Sequence, residues 1–219
     1  MGSLAAALNR RPRKSMARAM TRLAGAERRS QLVREAMQAF GKKGFEGTSL
    51  DAVAEAAGIR KQTLLYYYPN KEALFSACVE ALSAKLTETL EEVLEAPHKG
   101  WDRIESIIRA IFSLAEEMPE FPLFAREGPR HSPEVIQRIA GELEPLRKRA
   151  LVYLERGMEE GKFRVQDPGL LLFSLYTAIV GSLTEAGVLR AIAGGPKGAV
   201  ALRRRREELI AFVRRALEP

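Results

Sequence analysis

The sequence predicts an all-α fold, and three observations support this prediction. Alanine, leucine, glutamate and arginine, which favour helices, are abundant in the 219 residues. Stretches in which β-branched and polar residues alternate, the pattern of a half-buried strand, are scarce. Apolar residues instead recur at spacings of three and four between glycine and proline breaks, and the chain is long enough to bury a substantial core.

Residues 48–72 predict two short helices joined by a glycine turn. Thr48 and Asp51 have the spacing of a capping box, in which a hydroxyl and a carboxylate satisfy free N–H groups at a helix start. Gly58 lies where a helix ends in a left-handed residue. A second helix follows it and ends before Pro69, because the residue preceding a proline disfavours helix. These caps and spacings predict a helix-turn-helix.

The second of these helices carries side chains that suit double-stranded DNA. A glutamine pairs bidentately with adenine, a lysine reaches guanine or phosphate, and a threonine methyl contacts the thymine methyl. The candidate DNA-binding residues are Lys61, Gln62, Thr63, Tyr66, Tyr67 and Lys71, the last at the start of the following helix. For any one of them a solvated helix face is an even alternative, but their concentration on one capped unit favours DNA.

Residues 27–75 contain further short motifs around the glycine turn. They are Leu32-Val33-Arg34-Glu35-Ala36, Phe40, Gly44-Phe45, Thr48-Ser49-Leu50, Ala56-Ala57-Gly58-Ile59, Lys61, Thr63-Leu64 and Tyr67-Tyr68-Pro69-Asn70-Lys71-Glu72-Ala73-Leu74-Phe75. This set resembles the tetracycline-repressor (TetR) family of bacterial transcription regulators. The resemblance implies a three-helix DNA-binding domain at residues 27–70 and adds Thr48 to the DNA contacts. Arg60 stands where the family often has serine, which makes it a candidate phosphate contact, and Gln62 replaces a frequent glycine.

The formal charge of +7 is concentrated towards the N-terminus. Residues 1–26 hold six basic and no acidic residues, residues 27–75 have a net charge of +2, and the remainder has −1. This asymmetry would orient the protein on a polyanion. We predict that residues 1–26 form a basic, flexible arm, which either contacts DNA, has no role, or mimics a transit peptide. No apolar segment suited to secretion is found in it, so a cytoplasmic location is expected.

The sequence offers no catalytic or metal-binding pattern. The single cysteine, Cys78, excludes an internal disulfide and lies in an apolar helical pattern typical of a core residue. His98 and His131 have no partner at metal-ligand spacing. No nucleophile motif, glycine-rich phosphate loop or framed carboxylate pair is present. We therefore predict neither a metal, nor a cofactor, nor enzymatic activity.

Residues 71–219 predict a second domain, made of longer helices. The predicted helices span about 70–94, 101–117, 122–126, 132–160 with a kink at Pro145, 169–183 and 199–217. Residues 169–183 are apolar nearly all round, yet they are fewer than the about 20 that a membrane span needs. A helix apolar on all sides packs against a core on one face and a partner subunit on the other. The last two helices resemble the dimer interface of the TetR family, which implies a homodimer reading a palindromic operator.

The resemblance further implies repression and an unidentified small-molecule effector bound among the middle helices. Candidate pocket residues are Trp101, Phe112, Phe121, Phe124, Arg126, His131, Tyr153, Tyr176, Thr177 and Glu185. For each of them an ordinary place in the core or on the surface is the alternative. The alternative for the whole chain is a helical DNA-binding or partner-binding protein without ligand response.

Overall fold

The computed structural model describes the backbone of residues 11–97, 99–131, 133–195 and 198–219, and their side chains except in 11–24 and 128–135. These residues form eleven helices and no strand, which confirms the all-α prediction. The helices are α1 (Arg11–Lys43), α2 (Leu50–Ala56), α3 (Lys61–Tyr67), α4 (Lys71–Glu95), α5 (Trp101–Glu117), α6 (Glu120–His131), α7 (Pro133–Glu142), α8 (Glu144–Glu159), α9 (Pro168–Thr184), α10 (Ala186–Ala193) and α11 (Gly198–Leu217).

Helix α1 is longer than the sequence analysis anticipated. Its described part starts at Arg11. It ends at Gly44, whose φ of 72° suits glycine and whose N–H donates to the carbonyl of Phe40. Residues 11–26 belong to this helix, so the described part of the predicted basic arm is helical. Residues 1–10 lie outside the described chain.

Several predicted helix boundaries agree with the structure. Asn70 caps α4 by accepting the N–H of Ala73 at 2.7 Å, and Asp167 caps α9 by accepting that of Leu170 at 2.8 Å. The helix predicted for 132–160 is two helices, because the chain turns at Leu143 before Pro145 in the first turn of α8. Residue 132, where that helix was predicted to begin, lies outside the described residues, α6 is longer than expected, and α10 was not anticipated.

Buried side chains divide into two cores. The first lies between α1, α2, α3, α4, α6 and the end of α5, and it contains Phe40, Leu64, Phe124 and Cys78. Burial of Cys78 confirms its predicted core position and raises the pKa of its thiol. The second core lies between α5, α8, α9 and α11. Helices α4 and α6 follow the domain boundary predicted at residue 70, yet they pack in the first core together with α1, α2 and α3. The predicted boundary therefore divides a single packed core.

Two contacts join helices that are far apart in the sequence. Gly41 of α1 lies against α6 so closely that an added Cβ would be 2.8 Å from Cβ of Leu123. On the surface, Arg109 of α5 donates to both carboxylate oxygens of Glu207 of α11, at 2.8 Å each. These hydrogen bonds lower the pKa of Glu207 to about 2. A glycine crossing therefore joins α1 to α6, and an ion pair joins α5 to α11.

No single helix in the described ranges combines the length and apolarity needed to cross a membrane. Helices α9 and α10 meet that requirement only when counted together, and they are bent by 82° at their junction.

Candidate nucleic-acid interface

The turn between α2 and α3 is built by backbone hydrogen bonds around Gly58. The N–H of Ile59 donates to the carbonyl of Ala54 at 2.9 Å, and the N–H of Gly58 donates to that of Glu55 at 3.0 Å. This pair of bonds is a Schellman motif, which requires the left-handed φ of 66° found at Gly58. The predicted glycine turn is therefore present, and the fully buried Leu64 anchors α3 beneath it.

Thr48 has a different role from the one predicted. The residue that caps α2 is Ser49, whose hydroxyl accepts the N–H of Ala52 at 3.2 Å. Thr48 is only 3% exposed, and its hydroxyl donates to the carbonyl of Gly44 at 2.8 Å. Its hydroxyl proton is therefore engaged within the domain. We correct its assignment as the cap of α2, and its burial favours a bracing role between α1 and α2 over the predicted DNA contact.

The first turn of α3 is presented to solvent. Arg60, Lys61, Gln62 and Thr63 are consecutive exposed residues, and Arg60 makes no side-chain cap bond at the start of the helix. The helix is held from its opposite side by Leu64, so the four polar side chains stand on a fixed base. This arrangement is that of a recognition helix, in which N-terminal residues reach base edges in the major groove.

Tyrosines and one arginine flank this polar turn. Tyr66 is 83% exposed, and its ring meets the edge of the Tyr67 ring with centroids 5.3 Å apart. The guanidinium carbon of Arg29 lies 5.9 Å from the centroid of Tyr67, a cation–π contact from α1 to α3. The sequence analysis missed Arg29, because its partner lies 38 positions further along the chain and no local pattern joins them.

Lys61 is paired with an acidic residue of α2. Its ammonium lies 2.7 Å from Oδ2 of Asp51, and both side chains are exposed. An exposed pair of this kind contributes about 0–1 kcal/mol, so a phosphate or a guanine can replace the carboxylate at little cost. Asp51 therefore holds Lys61 in position in the absence of DNA, a role that the sequence analysis had not given it.

Lys71 is directed into the helix-turn-helix. Its ammonium donates to the carbonyls of Phe45 at 3.0 Å and Thr48 at 3.2 Å. It also lies 4.2 Å from the centroid of the Phe45 ring. Two of its three donors are therefore used to fix the loop before α2. This geometry favours a positioning role for Lys71 over the predicted phosphate contact.

The predicted pocket residues are not assembled around one cavity in the described part of the chain. Phe121 and Phe124 pack in the first core, whereas Trp101 and Phe112 pack in the second. The hydroxyl of Tyr153 donates to the carbonyl of Gly100 at 2.9 Å, and burial raises its pKa.

Among the remaining pocket candidates, one pair is brought together. Arg126 donates to Glu185 at 2.7 Å, which joins α6 to the end of α9. Tyr176 and Thr177 are exposed on α9. The side chain of His131 lies outside the described residues.

Apolar side chains are exposed along the last helices. On α9 they include Leu170 and Phe173, of which Phe173 is 62% exposed, and on α11 they include Val200 and Phe212. Because α9 and α11 pack against each other, these residues belong to a neighbouring pair of helices. Exposed apolar surface of this extent is typical of a protein–protein interface.

The described helices and the exposed polar turn of α3 define a helix-turn-helix DNA-binding protein with a helical C-terminal domain. Comparison with known sequences agrees with that class. Residues 32–78 match the family model described as "Bacterial regulatory proteins, tetR family". The helix-turn-helix region of the chain is therefore that of the TetR family of transcription regulators.

Relatives of the chain carry regulator names. The HTH-type transcriptional regulator RutR of Escherichia coli K12 is 28% identical over 154 residues, which are 69% of this chain and 71% of that protein. The biofilm operon icaADBC negative regulator IcaR of Staphylococcus epidermidis is 35% identical over 52 residues, 24% of this chain and 28% of that protein. The structure of AibR with isovaleryl coenzyme A and operator DNA has a TM-score of 0.68, with 18% identity, and the match covers 84% of this chain and 97% of AibR.

Proposed function

We propose that the protein is a transcriptional repressor that binds a palindromic operator as a homodimer in the cytoplasm. The observation that supports this proposal best is the exposed polar turn of α3, residues 60–63, on the buried anchor Leu64. In this proposal Lys61, Gln62 and Thr63 contact base edges, while Arg60 and the exposed tyrosines contact the DNA backbone. The name of IcaR as a negative regulator supports repression.

Dimerisation through α9 and α11 is the second part of the proposal. These helices expose Leu170, Phe173 and Phe212 to solvent in the single chain. A second copy packed on the same surface would bury them in an isologous interface with two-fold symmetry. Two reading heads related by that axis would contact two half-sites of a palindrome. The dimer therefore accounts for both the exposed apolar surface and the expected operator symmetry.

The third part is release by a small-molecule effector. AibR, whose fold this chain shares, is described in complex with an acyl-coenzyme A and operator DNA. An effector of this chain would have to bind more tightly to the arrangement in which the reading heads do not fit the operator. The operator would then weaken effector binding by the same factor. Residues 27–70 would contact DNA and residues 71–219 would hold the effector and the dimer interface.

A helical DNA-binding protein without ligand response is the second candidate. The observation in its favour is the packing of the predicted pocket residues, because Phe112 and Phe124 are buried in two different cores. The two candidates differ in one measurable property. A responsive repressor loses operator affinity when a ligand binds, whereas the alternative keeps it.

The test is selection of bound sequences from a random duplex library at physiological salt. Enrichment of a palindrome is the expected result, and sedimentation of the complex should give two chains per duplex. Gln62→Ala should relax base preference at one position of each half-site and leave affinity for unrelated DNA unchanged. An equal loss on all sequences would refute the assigned role of Gln62. The absence of any enriched sequence would refute operator recognition.

A further inference from the structure

Asp51 and Lys61 form an exposed pair between the two helices of the helix-turn-helix. Asp51 lies in the first turn of α2, and Lys61 is the first residue of α3. The ammonium nitrogen of Lys61 lies 2.7 Å from Oδ2 of Asp51, and the two side chains are 45% and 66% exposed. The pair therefore presents a hydrogen-bond donor and an acceptor side by side, within reach of a molecule that contacts the first turn of α3.

Both members of this pair can make further hydrogen bonds. An ammonium group has three donors, and one of those of Lys61 is directed to Asp51. An ionised carboxylate accepts at both of its oxygens, in about four positions. Lys61 can therefore donate to a base while it stays on Asp51, and Asp51 can accept from a neighbouring base at the same time.

The major-groove edge of a G·C base pair has the complementary pattern. Guanine offers the acceptors N7 and O6, and cytosine offers the N4 amino group as a donor. Guanine O6 and cytosine N4 are joined by a Watson–Crick hydrogen bond, so they lie about 2.9 Å apart. That spacing is close to the 2.7 Å between the ammonium of Lys61 and the carboxylate of Asp51. With Lys61 on guanine and Asp51 on cytosine, donors and acceptors alternate around a closed ring.

The other base pairs match this pattern less well. A T·A pair also places an acceptor, thymine O4, beside a donor, adenine N6. Thymine, however, offers the ammonium one acceptor and a methyl group, where guanine offers two acceptors. Covering part of an ammonium with a methyl group removes water without replacing its hydrogen bonds. The reversed pairs C·G and A·T place a donor against Lys61 and an acceptor against Asp51, so the pattern selects G·C in one orientation.

The charges also favour recognition by the two residues together. A carboxylate alone would be repelled by the phosphates of DNA, and Lys61 neutralises that of Asp51. A lysine alone can contact any phosphate in reach, and such a contact carries no sequence information. Asp51 therefore directs Lys61 to a base edge, and Lys61 allows Asp51 to approach the groove.

We propose that Asp51 is a specificity-determining residue, which together with Lys61 recognises one G·C base pair in each half-site of the operator. In this arrangement the carboxylate of Asp51 accepts from cytosine N4, and the ammonium of Lys61 donates to guanine. The proposal rests on the proposed function, because it requires an operator with half-sites. It adds an acidic residue to the DNA contacts, whereas the sequence analysis had assigned that carboxylate to a helix cap.

The first test repeats the selection from a random duplex library with variants of the full-length protein. Asp51→Asn and Lys61→Met should each lose the preference for G·C at the same position of each half-site and keep the preferences elsewhere. Glu55→Gln is the matched control, because it removes another exposed carboxylate of α2. The control should enrich the same sequence as the parent.

The second test uses the parent protein and chemically modified operators, so that no variant has to fold. In one operator 7-deazaguanine removes the N7 acceptor at the responsive position, and in the other N4-methylcytosine blocks the donor that faces the major groove. Each change should lower the affinity of the parent about tenfold. Asp51→Asn should bind the N4-methylcytosine operator as well as it binds the unmodified one.

Four outcomes would overturn the proposal. They are an unchanged preference in Asp51→Asn, relaxation of different positions by Asp51→Asn and Lys61→Met, relaxation of the same position by Glu55→Gln, and unchanged affinity of the parent for the N4-methylcytosine operator. If one of these is found while the parent enriches a palindrome, the role of Asp51 is refuted and the proposed function stands. If the parent enriches no palindrome, both are refuted.

Discussion

Replacing Lys71 by methionine tests whether this residue contacts DNA or holds the reading head. Methionine keeps the length and apolar character of the side chain and removes the ammonium. The change deletes hydrogen bonds to the carbonyls of Phe45 and Thr48 and a cation–π contact with the Phe45 ring. At a half-buried site each of these is worth about 1 kcal/mol, and methionine retains some packing, so the expected loss is about 2 kcal/mol. For a chain of this size that loss lowers Tm by about 4–8 °C.

Lys61→Met is the matched control, because it removes the same group from an exposed position on α3. Its ion pair with Asp51 is solvated, so we expect little change in Tm. If Lys61 contacts a phosphate, the slope of log K against log salt should become shallower by about 0.9. Thermal unfolding and operator titrations over several salt concentrations measure both quantities. The reasoning is refuted if Lys71→Met leaves Tm unchanged and lowers the salt slope instead.

Three further changes test other contacts. Gly41→Ala forces α1 away from α6 and should destabilise the protein by about 1–2 kcal/mol in urea unfolding. The control is Gly141→Ala, where an added Cβ meets nothing within 4 Å and should stabilise the protein by up to about 1 kcal/mol. Equal effects of the two changes would contradict the close crossing of α1 and α6. Glu207→Gln should cost about 0.5–1 kcal/mol at pH 7, because Arg109 lowers the pKa of Glu207 to about 2. That contribution to stability is present above about pH 4.5, the pKa of Glu207 in the unfolded state, and is lost as the pH falls to about 2. The unfolding free energies of the variant and the parent should therefore converge at that pH. Glu208→Gln is the control. Phe173→Glu should give a folded monomer by sedimentation and abolish operator binding, and a dimer of unchanged affinity would exclude α9 from the interface.

The helix-turn-helix was predictable because its signals are local. A glycine that needs a positive φ and a proline that limits a helix both act within a few residues, and Gly58 was placed correctly. The position of the cap was wrong by one residue. Thr48 and Ser49 both carry a hydroxyl, and which of them caps α2 depends on the end of α1, where the carbonyl of Gly44 accepts from Thr48.

The functions of charged side chains were less predictable, because their partners are distant in sequence. Lys71 and Phe45 are 26 positions apart, and Arg126 and Glu185 are 59 apart. No spacing rule links such pairs, so a lysine beside a recognition helix was interpreted as a DNA contact. The predicted pocket residues are divided between two cores, which the sequence did not indicate for a related reason. Aromatic residues at helical spacing indicate burial, but they do not distinguish the wall of a cavity from a filled core.

Helix α6 connects the two parts of the molecule through residues that had been assigned to a pocket. Phe124 is fully buried, and its ring lies 5.3 Å from that of Phe75 of α4 and 6.4 Å from that of Phe40 of α1. On the same helix, Arg126 binds Glu185 at the end of α9, one of the two helices proposed for dimerisation. The backbone of α6 already touches α1 at Gly41, so the crossing leaves no space to absorb a shift of α6. A displacement of α6 towards α1 would therefore move α1 as well, and we expect α6 to be the element through which a ligand or a dimer interface would act on DNA binding.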